Sequence, residues 1–582
     1  MSLHRSACRA VPRLQRSVTA SSRRRISTKS TGTGSSNYGN NWTYWGVAVV
    51  GGSATYLSTV SRLDADSGRA DEVLAVLDRA ALGKKQANVT EESRDLLNSP
   101  HLQVKRSWEN PGVYAWGSNS GRVVAPDSEE RFIKTPRRIA FFDGVLLRDI
   151  KLDKSFGAAI NEQGDLLQWG TQFSPEVKSP EVTLKGKNLQ SLAISDDRII
   201  ALSSNGSVYS IPVSRDEQLT DPRLKESSWL WSNSTNIGCR SLTPNSLGMG
   251  EKVISIAGGL QHVLMLTSSG RLFSAASSTR DFPERGQMGI PGLSWYTRPA
   301  GPFDQPHAIT TLKGHSIRAI AAGDTHSLAL DSTGRLFAFG DNSHGQLGIE
   351  LNTSGLRLNQ LNIDAYTIDA PTAVPLISLY PQAHAIPKIT HIAAGGQNSY
   401  IVADAPTSTK TGQPTSDTWT CGRGIWGTLG NSKLTHVQWG FTRIPNLSAL
   451  VEYNESTRQP SPIRVARISV GASHVAATMA NITRVAAGKG GETDTNWGAD
   501  VYFWGNNEHF QLGTGKRNNV TSPTHIAPLG SGKVTKSSQD GMVMERFQLT
   551  PKKTITFAGR SVAVEQRVEC GRNVSAVYSA AV

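Results

Sequence analysis

Residues 324–348 read DTHSLALDSTGRLFAFGDNSHGQLG, placing an Asp, two His and a Gly-rich tail within one short stretch. Whether these polar residues do chemistry or recur for architectural reasons decides the class of the protein. Gly-rich β chains commonly repeat, so the first test is to align the chain on itself. The stretch recurs as ISIAGGLQHVLMLTSSGRLFSA (254–275), IRAIAAGDTHSLALDSTGRLFAFG (317–340) and ITHIAAGGQNSYIV (389–402). It recurs again as ARISVGASHVAAT (466–478) and RVECGRNVSAVY (567–578), with two degenerate copies at 147–170 and 189–211. Equivalent positions are Asp153, Ser195, Gly259, Gly323, Gly395, Gly471 and Gly571, spaced by 42, 64, 64, 72, 76 and 100 residues. One unit with growing insertions explains this series.

The last copy stops after its second strand, where a segment like GRLFAFG is due. That missing half stands at the front, as NPGVYAWGSNSG at 110–121. Joining the two chain ends in one sheet closes a ring and removes its open edge. The expectation is an all-β, seven-bladed β-propeller over 110–580, closed by N- and C-terminal strands.

The unit resembles the RCC1 repeat (regulator of chromosome condensation). The tail of that repeat is matched by Gln346-Leu347-Gly348, Gln511-Leu512-Gly513, Gln287-Met288-Gly289 and Thr428-Leu429-Gly430. Its aromatic-Gly element is matched by Trp116-Gly117, Trp169-Gly170, Phe339-Gly340 and Trp504-Gly505. The resemblance covers about 110–580, and the second and third units of the ring depart most from it.

His326 aligns with His262 and His474, and with Phe156, Arg198, Asn398 and Val574 elsewhere. A catalytic residue need occur once, whereas a residue returning in unit after unit serves the unit. A buried His can bond neighbouring backbone through both ring nitrogens, so these are read as structural histidines. Gly259, Gly323, Gly395, Gly471 and Gly571 fit a positive φ or a close backbone approach. Cys421 and Cys570 also occupy repeat positions and read as core thiols. Asp324 reads as a turn residue that could face the ring surface. The chain has no G-x-S-x-G elbow, phosphate loop or H-E-x-x-H pair, and GKGGETD (488–494) reads as a solvated insertion. No enzyme activity, metal or cofactor is expected. Recognition is expected on the insertions at 352–388, 404–418, 431–463, 484–499 and 530–562, with Trp426 and Trp439 as candidate partner contacts.

Charge and cysteine usage narrow the class further. The net charge is +14, but Arg5, Arg9, Arg13, Arg16, Arg23, Arg24 and Arg25 supply half of it. The remainder is too diluted for a phosphate-binding stripe, and no nucleic-acid partner is expected. Cys8, Cys239, Cys421 and Cys570 lack zinc-ligand or redox-motif spacing.

Residues 1–26, rich in Arg and Ser and free of acids, have the composition of a mitochondrial transit peptide. Cleavage after Ile26 would release Ser27. A polar linker (27–41) leads to a 19-residue uncharged segment, 42–60, read as one transmembrane helix with aromatics near both ends. Ala48 and Gly52 there form a small-xxx-small face for helix packing. Residues 69–98 read as a helical stalk. Ten Asn-x-Ser/Thr sequons would suit a secretory signal anchor instead, but the long acid-free leader favours the mitochondrion. Lys29 before the span and Asp64, Asp66, Asp71 and Glu72 after it point the propeller toward the intermembrane space, with Arg62 and Arg69 diluting the asymmetry.

Together these features resemble the fungal mitochondrial RCC1-like inner-membrane proteins. That resemblance implies a non-enzymatic scaffold for membrane-protein subunits or assembly factors of respiratory complex III, the cytochrome bc1 complex. Two alternatives stand beside it: a nucleotide-exchange factor for a mitochondrial GTPase, and an organellar RNA- or ribosome-associated scaffold.

Overall fold

The computed structural model describes residues 100–582 apart from 228–231, 294–302, 351–362, 382–385, 406–414, 455–457, 482–483, 486–494, 497 and 530–545. The transit-peptide cut at Ile26 and Ser27, the span with Ala48 and Gly52, and the stalk at 69–98 lie outside the described residues. Among the described residues, no helix is long and apolar enough to cross a membrane.

The stretch quoted above forms one antiparallel sheet. Its strands are Ile317–Ala322, His326–Asp331, Leu336–Asp341 and Thr367–Ala373, hydrogen-bonded in chain order. Every residue of the second and third strands is buried. The pleat explains why, because successive side chains point to opposite faces of a strand. Leu328 and Leu330 pack toward Ile389, Ile392, Ile401 and Ala403 of the following sheet. Ala329, between them, packs with Leu264, Leu266 and Leu272 of the preceding one. The core therefore lies between sheets, and a strand covered on both faces is apolar without alternation.

Four further separate sheets follow this plan, with first strands Leu189–Ile194, Val253–Gly258, Lys388–Gly395 and Val465–Val470. Apart from three two-stranded hairpins, the remaining described strands form one larger sheet, which joins the chain ends. There the C-terminal strand Val574–Ala581 lies between Arg560–Cys570 and the N-terminal strand Val113–Ser118, antiparallel to both. Phe132–Arg138 completes that unit. A single parallel pair, Leu147 with Ala580, links it to the unit of Leu147–Leu152, Gly157–Asn161, Leu166–Trp169 and Glu181–Val182. The result is an all-β propeller.

Six first strands carry a register shift near their start, between Leu147 and Asp149, Leu189 and Ser191, Val253 and Ser255, Ile317 and Ala319, Ile389 and His391, and Val465 and Arg467. Such bulges increase the local twist. The closing strand Arg560–Cys570 pairs without one.

Three features differ from the sequence expectation. A helix, α1 (Pro100–Glu109), precedes the first strand and docks by burying Val104, while Trp108 Nε1 donates to the Pro551 carbonyl at 3.3 Å. The insertions at 352–388 and 431–463 contain the fourth strands Thr367–Ala373 and Gln438–Arg443, so part of each is sheet edge. The 530–562 insertion contributes the strand Lys553–Phe557, paired with the start of Arg560–Cys570.

Candidate functional site at the sheet junctions and channel mouth

The repeated histidines meet across sheets. His262 Nε2 lies 2.9 Å from Ser327 Oγ, His326 Nε2 lies 2.9 Å from Ser399 Oγ, and His474 Nε2 lies 2.7 Å from Ser575 Oγ. Each serine belongs to the next sheet and donates to a tail carbonyl: Ser327 to Gln287 at 2.8 Å, Ser399 to Gln346 at 2.6 Å, Ser575 to Gln511 at 2.8 Å. With the serine proton committed to the carbonyl, the imidazole must be the donor, so Nε2 carries its hydrogen. All three rings are fully buried. Burial depresses their pKa, to about 3 for His262, where the neighbouring His326 also lowers it, about 4 for His326 and about 3 for His474. They are neutral struts. The expectation that both nitrogens bond backbone is corrected: Nε2 bonds a side chain, and Nδ1 has no hydrogen-bond partner among the described residues.

The companion glycines are explained by the same ring. A Cβ on Gly323 would fall 2.1 Å from His326 Cε1, and one on Gly259 would fall 2.3 Å from His262 Cε1. Neither has a positive φ, so close approach is the reason. On Gly471 and Gly395 a Cβ would fall 2.4 Å and 2.5 Å from the Gly571 and Val470 carbonyls, and on Gly571 1.9 Å from that of Leu152. The aromatic-Gly element also spans junctions: Trp504 Nε1 donates to the Thr428 carbonyl at 2.7 Å, Trp116 to Gln511 at 2.8 Å and Trp169 to Val123 at 2.9 Å. Cys239, Cys421 and Cys570 are buried, and burial pushes the thiols of Cys421 and Cys570 up. No group of three or more His, Cys, Asp or Glu side chains among the described residues is placed to hold a metal.

The degenerate unit replaces this neutral joint with charge. Arg198, in the His position and 6% exposed, lies 3.6 Å from Asp197, 3.5 Å from Glu217 and 3.5 Å from Asp221. Glu217 comes from the inserted helix α2 (Arg215–Thr220), seated by Gln218 donating to the Pro212 carbonyl at 2.7 Å. Arg240 pairs with Asp304 alongside, and burial together with Arg198 pulls its guanidinium down to about 10.

First strands line a central channel of about 410 Å³. At the end where the Gly-x-x-His turns lie, backbone bonds tie turn to turn: Asp196 N to Leu260 O at 3.1 Å, Leu260 N to Asp324 O at 3.0 Å, Asp324 N to Gly396 O at 2.8 Å. Asp324 faces inward, 3.6 Å from Arg572, which also reaches Asp153 at 3.2 Å. Burial pushes the Asp324 carboxyl up while Arg572 opposes it. Trp426 is half-buried in this mouth, with the Arg423 guanidinium 4.6 Å from its ring centre. Trp439 lies elsewhere, on the outer strand Gln438–Arg443, stacked on Tyr366 at 6.0 Å and 19°. The two tryptophans therefore do not form one surface. The serine partners were missed in the sequence although a signal exists: His262, His326 and His474 each face a Ser in the next copy. Phe156, Arg198 and Asn398 face Ile199, Val263 and Val475 instead.

Comparison with known proteins agrees with this geometry. Residues 317–346, and separately 333–402 and 499–538, match the regulator of chromosome condensation (RCC1) repeat. The chain is similar to Protein FMP25, mitochondrial, of Saccharomyces cerevisiae, 24% identical over 83% of this chain and 75% of the relative. It is similar to RCC1 domain-containing protein RUG3, mitochondrial, of Arabidopsis thaliana, 25% identical over 62% of this chain and 71% of the relative. The secretion-regulating guanine nucleotide exchange factor of Mus musculus is 24% identical over 72% of this chain and 79% of its own length. Among solved structures, human WBSCR16 superposes with a TM-score of 0.51 at 17% identity, covering 81% of this chain and 99% of that one. Repeat matches, closing strands and the recurring junction chemistry agree that this chain carries RCC1 repeats.

Proposed function

We propose that the chain is a non-enzymatic, membrane-anchored RCC1-like propeller of the mitochondrial inner membrane, holding partner proteins during assembly of respiratory complex III, the cytochrome bc1 complex. The observation that carries it is the use made of the repeated polar residues. His262, His326 and His474 are buried, neutral and committed to neighbouring sheets, which leaves a rigid ring whose loops and mouth are free for binding. The mitochondrial location rests on the acid-free leader and on relatives named as mitochondrial in yeast and Arabidopsis. The anchor is the segment 42–60. Seven first strands, from Leu147–Leu152 to Arg560–Cys570, line one channel, which supports the reading of seven blades.

Protease protection in mitochondria and mitoplasts, carbonate extraction, and native gels of respiratory complexes after gene deletion test this reading together. A carbonate-resistant protein and selective loss of mature complex III are expected. Release by carbonate with all complexes intact would remove both anchor and assembly role. The exchange-factor reading is kept because a relative named as a guanine nucleotide exchange factor aligns over most of the ring. Faster nucleotide release from a mitochondrial GTPase on adding the protein is the result that would favour it.

A further inference from the structure

The channel mouth holds two further cations, Arg423 and Lys154. Arg423, just after the strand Ser416–Gly422, is fixed at both ends: its backbone N–H donates to the Gln397 carbonyl at 3.1 Å, and its guanidinium bonds Gln397 Oε1 at 3.1 Å while stacking on Trp426. Lys154, exposed, lines the same cavity of about 350 Å³. Among the described residues, neither cation has a carboxylate within ion-pair distance, whereas Arg572 beside them is taken up by Asp153 and Asp324. Ser473 also lines the cavity; it is 7% exposed, and its hydroxyl has no hydrogen-bond partner among the described residues.

We propose that this mouth binds an acidic segment of a partner protein, one carboxylate entering the cavity lined by Arg423, Lys154 and Ser473. A planar guanidinium already held in place loses little freedom on binding and can meet a carboxylate with two parallel hydrogen bonds. The stacked Trp426 restricts water on one side, where such a bond is stronger than in bulk solvent. Ser473 supplies the neutral donor that a second carboxylate oxygen needs. Repulsion from Asp324 in the same cavity grows with the ligand's charge, so it penalises a doubly charged phosphate more than a singly charged carboxylate. The inference rests on the scaffold reading and specifies the chemistry of its partner.

The test uses the full chain in detergent and a fluorescein-labelled hexaglutamate peptide, with hexalysine and inorganic phosphate as controls, followed by anisotropy. Saturable hexaglutamate binding that weakens with salt is expected, with at least a tenfold loss in Arg423→Gln and in Lys154→Gln and little change in Arg517→Gln. Unchanged melting temperatures show that the variants fold. Equal binding by wild type and both mouth variants overturns the site, as does displacement of the peptide by phosphate at matched concentration. Native gels separate this from the scaffold reading. Complex III lost on deletion but normal in the double mouth variant removes this site alone; complex III intact after deletion removes the assembly role.

Discussion

Two arcs of the ring join neighbouring sheets by opposite electrostatic means. From His262 to Ser399, and again from His474 to Ser575, the joint is a neutral imidazole donating to a serine that donates to a carbonyl. Around Arg198 a buried cation sits among three carboxylates of its own unit, one of them brought by the inserted helix α2, and two of those acids, Glu217 and Asp197, reach Arg280 and Ser278 of the next unit. Both satisfy a polar group at the same place in the unit, but only the first can be copied from sheet to sheet, because it needs just two side chains at fixed positions. A buried guanidinium needs several acids, so its neighbourhood must be rebuilt.

The comparison is broken most strongly by acid. The folded-state pKa of each junction histidine is lowered, so between its ordinary value near 6.5 and its folded value near 3–4 the unfolded chain binds the extra proton. Stability is therefore retained above the upper limit and falls as pH drops through the window, by about 4 kcal/mol per pH unit if all three contribute. Urea denaturation from pH 7 to pH 4.5 checks this; a triple His→Asn variant is expected to show a flatter profile, and an unchanged slope would reject neutral junction histidines.

Next in size is Arg198→Met. It leaves Asp197, Glu217 and Asp221 facing an apolar side chain, and about 3 kcal/mol of stability is expected to be lost, less than a fully enclosed charge would cost because these acids still reach water. Circular dichroism melting reads it. His326→Ala removes one donor and opens a cavity, for about 2 kcal/mol. Ser399→Ala added to it should cost less than it does alone, since the two form one chain of hydrogen bonds, and additive losses would show that they are independent.

The smallest expected effect sharpens the rule by construction. Asn398 faces Val475, a junction without the relay. Asn398→His together with Val475→Ser should show a favourable coupling of about 1 kcal/mol relative to the two single changes. A coupling near zero in a double-mutant cycle would mean that the pairing needs more than these two positions.

Much of the architecture was readable because the unit is periodic. The Gly-x-x-His turns, the aromatic-Gly elements and the split last copy all appear along the chain, and the pairing of Val113–Ser118 with Val574–Ala581 follows from the missing half at 110–121. The site was less readable. Trp426 and Trp439 look alike as candidate partner contacts, yet one stacks under Arg423 in the mouth and the other lies on an outer strand. Helix α1 was overlooked because it carries no strong apolar stripe beyond Val104 and docks on residues more than 400 positions away.

The sequence by itself determined that this protein is a ring of repeated β units, where the ring closes, and that its histidines recur with the unit. Tertiary structure alone decided which groups those histidines hold, since their serine partners lie 65, 73 and 101 residues downstream. It also decided that Arg423, Lys154 and Ser473, from three different units, share one cavity. The physical reason is that periodicity is written along the chain, whereas a junction or a channel mouth is set by how the sheets pack around a common axis, at right angles to it.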